Sequence, residues 1–182
     1  YQAGGSGNIA MGDSAMSQGP TGGANYAIGR YSMMDANAGA TALSSNSNIA
    51  IGQSALGGTW ADAASNYNVA IGHLSMDAGV NGALYNIGMG YAALGALTEG
   101  DGNVAIGHGA GSAITTGGYN ITIGRAAGDA MSTNSGVIAI GYAAATTLNN
   151  NNGNYSVIIG YEAGQNMTSA SPNHLMGYRS GY

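Results

Sequence analysis

Apolar and polar positions recur along the whole chain in one fixed order: Asn, apolar, small, Ile or Met, Gly, any, any, Ala or Ser. The marking glycines are Gly12, Gly29, Gly52, Gly72, Gly90, Gly107, Gly124, Gly141, Gly160 and Gly177, spaced by 17, 23, 20, 18, 17, 17, 17, 19 and 17 residues. A large apolar residue precedes every one of them: Met11, Ile28, Ile51, Ile71, Met89, Ile106, Ile123, Ile140, Ile159 or Met176. Three places after the glycine stands only Ala or Ser, from Ala15 to Ser180, so something packs closely there. Four places before it stand Asn8, Asn25, Asn48, Asn68, Asn86, Asn103, Asn120 and Asn173, with Val137 and Ser156 as exceptions.

Within each copy the apolar residues alternate with period two: Ile49 and Ile51 point one way and Ala50 the other, as do Val104 and Ile106 around Ala105. β-Branched residues in alternation predict a strand of about five residues, and the glycine with its small followers predicts the turn that ends it. A unit of about 17 residues cannot bury its own apolar stripe, so equivalent strands must stack on one another. The predicted fold is all-β: a parallel β-solenoid, or β-roll, of about ten coils of 17–23 residues, one repeat domain over residues 1–182. Ten strands about 4.8 Å apart make a rod roughly 45–50 Å long. In this reading the Ile and Val side chains fill the interior, and the Ala-lined side is a second face that becomes useful against another chain, which favours a homo-oligomer. The Asn column reads as structural, an amide ladder running up the stack.

The segments Asn48-Ile-Ala-Ile-Gly-Gln-Ser-Ala55, Asn68-Val-Ala-Ile-Gly-His-Leu-Ser75 and Asn103-Val-Ala-Ile-Gly-His-Gly-Ala110 resemble the Asn-x-Ala-Ile-Gly-x-x-Ala repeats of bacteriophage tail fibres. More distantly they are similar to the head repeats of trimeric autotransporter adhesins. Gly141-Tyr-Ala-Ala144 and Gly160-Tyr-Glu-Ala163 match the Gly-Tyr-x-Ala variant of the fibre proteins. The resemblance covers the whole chain and implies a homotrimeric shaft or head, carried on a virion or a cell surface and used for host attachment.

Composition narrows the alternatives. Of 182 residues 34 are Gly, spread throughout, which disfavours helices. Glycine does not fall every third residue and there are two prolines, which excludes collagen. Three basic against eight acidic residues leave no cationic surface for nucleic acid or an anionic membrane. No apolar run reaches the roughly 18 residues that span a bilayer. With no cysteine, neither disulfides nor thiolate metal sites arise. The chain starts at Tyr1, and it is expected to be a segment of a longer fibre protein.

Candidate chemistry lies on the residue directly after each repeat glycine: Asp13, Arg30, Gln53, His73, Tyr91, His108, Arg125, Tyr142, Tyr161 and Tyr178. Such freedom in size and charge places that column at solvent or in a groove. Of these, Tyr91, His108, Arg125, Tyr142, Tyr161 and Tyr178 are candidate receptor contacts, because aromatic and cationic side chains in a row can stack on sugars and hydrogen-bond their hydroxyls. The long connectors 33–47 and 56–67 are further places where contacts are expected, and Trp60, in the second, is a candidate either as an exposed anchor or folded back under the widened coils. The polar run 149–152 reads as a hydrated loop tip. Catalytic residues are not expected, since Asp13, Asp35, Asp62, Asp77, Glu99, Asp101, Asp129 and Glu162 mostly occupy different places in their repeats and only Asp77 and Asp129 share one. No metal or cofactor is expected. His73 and His108 share a column two coils apart, and His174 falls at a place read as inward. Two roles fit: a non-enzymatic fibre or adhesin segment that presents a surface, or a self-assembling extracellular filament whose coils stack head to tail.

Overall fold

A computed structural model describes residues 5–19, 21–36, 44–61, 63–148, 154–167 and 172–181. The run 149–152 and part of the connector 33–47 lie outside the described residues. Ten strands form one parallel sheet in sequence order: β1 (Ile9–Met11), β2 (Tyr26–Ile28), β3 (Ile49–Ile51), β4 (Val69–Ile71), β5 (Ile87–Met89), β6 (Val104–Ile106), β7 (Ile121–Ile123), β8 (Ile138–Ile140), β9 (Val157–Ile159) and β10 (His174–Met176). Register is strict: Ile49, Ala50 and Ile51 pair with Val69, Ala70 and Ile71, and every later pair of strands matches position for position whatever the length of the connector between them. The chain is a β-solenoid of about nine turns with one strand per turn. Strands hold three residues, shorter than the alternation predicts, because the glycine bends the backbone at once.

The glycine column sets the coil spacing. At Gly107 φ is +131°, and a Cβ there would lie 2.7 Å from the carbonyl of Gly124. The same overlap recurs from Gly12 to Gly160, each against the next glycine of the column. After the glycine, the second and fourth residues both take left-handed backbone, whatever their side chains: Leu74 and Met76 at φ 58° and 51°, Ala92 and Leu94 at 50° and 52°, Glu162 at 51°. Each such non-glycine residue costs about 1–2 kcal/mol. The alternation lines up backbone groups along the rod: Leu94 N–H donates to the Ala110 carbonyl ahead, and Ala92 N–H to the His73 carbonyl behind.

The interior reverses the expected sidedness. The middle strand residues Ala27, Ala50, Ala70, Ala105, Ala139 and Ile158 are fully buried, whereas Ile28, Ile51, Met89 and Ile106 are 38–39 % exposed. Large side chains from the turns already fill the coil: Met16, Met33, Leu56, Met76 and Leu94, then Leu97, Ile114, Met131 and Leu148. The strand therefore has room for a small inward residue, and bulky β-branched neighbours are turned outward. Compensation confirms this packing. Where the mid-strand residue grows to Thr122 or Ile158, the turn residue against it shrinks to glycine, Gly128 lying against the Thr122 methyl and Gly164 against Ile158. His174, at the first place of β10, is exposed and not inward.

Beside the sheet runs an asparagine ladder. Asn25, Asn48, Asn68, Asn86, Asn103 and Asn120 are fully buried. Each Oδ1 from Asn25 to Asn103 accepts two bonds from the next rung: the Asn103 oxygen takes the Asn120 backbone N–H at 3.1 Å and its Nδ2 at 3.0 Å. Asn103 Nδ2 also donates to the Gly117 carbonyl at 2.9 Å. Val137 closes the side-chain ladder with its backbone N–H on Asn120 Oδ1 at 2.9 Å, and lower down Ser156 Oγ accepts the Asn173 N–H at 3.0 Å.

Asn103→Ala leaves two buried donors of Asn120 and one carbonyl unpaired. With each such group costing about 1–3 kcal/mol, urea unfolding followed by circular dichroism is expected to show a loss of at least about 3 kcal/mol. Gly107→Ala adds about 1–3 kcal/mol of backbone strain to the overlap with Gly124, and its unfolding midpoint is expected to fall further than that of Ala105→Gly, a substitution at the neighbouring strand.

Candidate functional site

Two outward surfaces carry chemistry. The first is the sheet itself. Its first and third strand columns, Ile, Val and Met almost throughout, form two apolar ridges that no element among the described residues covers. The residue before the ladder asparagine adds a flanking column in which Tyr67, Tyr85, Tyr119 and Tyr155 are 51–73 % exposed. Tyr67 and Tyr85 stack with centroids 5.0 Å apart and planes 1° apart, while Tyr119 lies over Gly102 and Tyr155 over Gly136. The candidate contacts read from the sequence did not include this column, although a Tyr directly before the ladder position was visible at each place.

The second surface is the column after the glycine, exposed at all ten places. Register brings its aromatic members into a file. His73 meets Tyr91 edge-on at 5.5 Å, and Tyr91 stacks on His108 at 4.9 Å. The Arg125 guanidinium lies 5.7 Å from the Tyr142 ring centroid, and Tyr142, Tyr161 and Tyr178 stack in turn at 5.0 and 5.5 Å. Stacking along the rod occupies ring faces, so the file offers edges, hydroxyls and cationic groups outward rather than open platforms. Arg30 pairs with Asp13 at 3.3 Å, and the exposure of both groups makes that pair worth little.

Beside this file lies a groove of about 350 Å³. Tyr91, His108, Arg125 and Tyr142 make one wall, Ala92, Gly109 and Ala126 the floor, and Ser112 and Asp129 the far side. The floor is the left-handed position two after the glycine, where small residues at 92, 109, 126 and 143 are bracketed by Leu74 and Glu162. Thus four of the candidate contacts gather at one place, and Tyr161 and Tyr178 continue the file beyond it. Trp60 does not join them. It is fully buried, with Nε1 donating to the Leu56 carbonyl at 3.2 Å, and it fills the interior of the widened coils.

Burial pushes the Asp129 carboxyl above its ordinary pKa, opposed by bonds from its own N–H and that of Ala130. Asp77, one repeat place with Asp129, is likewise raised by burial, with His73 opposing. Tyr161 is raised chiefly by the charge of Glu162 beside it. In the run 99–103, Asp101 Oδ1 accepts the Leu84 N–H at 2.7 Å and Asn103 belongs to the ladder, so these oxygens serve coil-to-coil bonding. Among the described residues no three His, Asp or Glu side chains gather to hold a metal ion, and no helix is long and apolar enough to cross a membrane. Comparison with protein families, with curated proteins and with solved structures gives no match.

A carboxyl whose pKa is raised on folding stabilises the protein at pH below its unfolded value, and that contribution is lost as pH rises through the folded value. Asp129→Asn is therefore expected to raise the melting temperature at neutral pH, with the gain disappearing in acid below the ordinary carboxylate range; thermal melts across pH check this.

Proposed function

We propose that this chain is a structural, non-enzymatic fibre segment whose copies associate through the apolar sheet face and which presents its turn-side surface to a receptor. The observation that carries the reading is the outward placement of two ridges along the ten strands, Ile, Val or Met at every place but Tyr26 and His174. The partner is a second copy of the chain. The ridges carry no Asp, Glu, Lys or Arg, so like faces do not repel, and their repeat of about 4.8 Å is matched by an identical sheet. Nine intervals of that size and three-residue strands give a footprint on the order of 400 Å². The flanking tyrosines widen it toward the roughly 800 Å² that each partner contributes to a stable interface. The resemblance to tail-fibre and adhesin repeats supports a homotrimer on a virion or cell surface that serves host attachment. Neither nucleic acid nor membrane insertion enters this reading.

A second reading keeps one observation of its own: β1 and β10 each pair on a single side, so further coils can add at either end of the sheet. In that case copies stack head to tail into a filament, and electron micrographs would show particles that lengthen with concentration rather than rods of fixed length.

Ile106→Lys tests the first reading. The side chain faces outward, so the β-signal in circular dichroism is expected to persist while light scattering falls from oligomer to monomer. A wild-type chain that stays monomeric at high concentration overturns it.

A further inference from the structure

Much of the groove wall beside the aromatic file is built from side chains that the coil does not need. The position after the glycine accepts Asp, Gln, His, Arg and Tyr in the same backbone, so nothing in the fold demands Arg125 between His108 and Tyr142. The floor is equally free: Leu74 occupies, at φ 58°, the position that Ala126 occupies at 55°. Over three successive coils this position is kept to Ala92, Gly109 and Ala126, and all three line the trough.

The lining defines a ligand by chemistry. One guanidinium, Arg125, and one carboxylate, Asp129, line the groove, so their formal charges balance and the groove suits no polyanion or polycation. It is an open trough rather than an enclosed apolar pocket, which disfavours a lipid tail or a compact apolar molecule. Donors and acceptors of both kinds line it: the Arg125 N–H groups, phenol and Ser112 hydroxyls, imidazole nitrogen and the Asp129 carboxylate. Between them lie Ala92, Gly109 and Ala126, whose side chains offer a methyl group or none. A pyranose presents the same arrangement in reverse, with C–H groups on its face and hydroxyls around its edge. The coils repeat along the rod, so a chain of sugars can run with them. We infer that a neutral oligosaccharide lies lengthwise in this groove, its ring faces on Ala92, Gly109 and Ala126 and its hydroxyls bonded to Arg125 and Asp129.

The inference specifies the receptor-contact part of the proposed function and rests on that reading. The whole chain, in its native oligomer, is applied to an array carrying maltohexaose, cellohexaose and mannohexaose together with sulfated and sialylated oligosaccharides. Binding to at least one neutral hexaose is expected. Ala126→Leu fills the floor with a side chain that the same position holds in the fourth coil, and Arg125→Gln installs the residue found at that column in the third; both are expected to weaken the neutral signal about tenfold or more. Gln53→Ser, outside the groove, is expected to bind as wild type. No neutral hexaose bound, binding confined to the acidic glycans, or an Ala126→Leu variant that binds as wild type overturns the inference. Light scattering on the same samples reads self-association separately, so loss of sugar binding with an intact oligomer counts against the groove alone.

Discussion

The rod depends on how closely one coil's backbone approaches the next at the glycine column. A Cβ at any of the nine glycines from Gly12 to Gly160 would sit 2.2–2.7 Å from the following glycine's backbone, so the column holds no other residue. That approach fixes the sheet register and stacks the turns. It also brings the asparagine amides within hydrogen-bonding distance, rung on rung. Stability is thus shared between neighbours along one axis, as in repeat proteins generally, and each coil relies on the coils beside it.

The same approach explains the unusual backbone of the turns. Left-handed conformations at Leu74, Met76, Leu94 and Glu162 are individually unfavourable. They persist because alternating them with right-handed residues points successive N–H and C=O groups along the rod, where the adjacent coil accepts or donates. The fourth residue after the glycine then aims its side chain into the coil. Met16, Met33, Leu56, Met76 and Leu94 form the core from these turns, and the strand is left to face outward with its bulkier residues.

This division of labour gives the molecule two usable surfaces. Strand side chains, released from the core, make a regular outward apolar face. The residue after the glycine, released from every packing duty, is free to vary and carries Tyr, His and Arg. Where the neighbouring position changes from Leu to Ala or Gly, a groove runs along the coils of Tyr91 to Tyr142. A uniform scaffold thereby acquires a local groove without any departure from its repeat.

The repeat, the parallel stacking and the glycine and asparagine columns were legible in the sequence, because in-register stacking imposes the same residue at the same place in every coil. Which side of the strand is inside was not legible. Period-two alternation states that Ile and Ala oppose each other, but Ile goes out because the turn side chains have already filled the interior, and those side chains are separated from the strand in sequence. Trp60 illustrates the same limit: a lone tryptophan in a long connector reads equally as anchor or filler, and only the width of the coils around it buries it. Tyr91, His108, Arg125 and Tyr142 were visible as one column, whereas Ser112 and Asp129 lie five places after their glycines and meet that column only because the coil folds back over the small residues between. Sequence alone determined what recurs; tertiary structure decided which recurring face meets solvent, since that depends on volume filled from elsewhere in the coil.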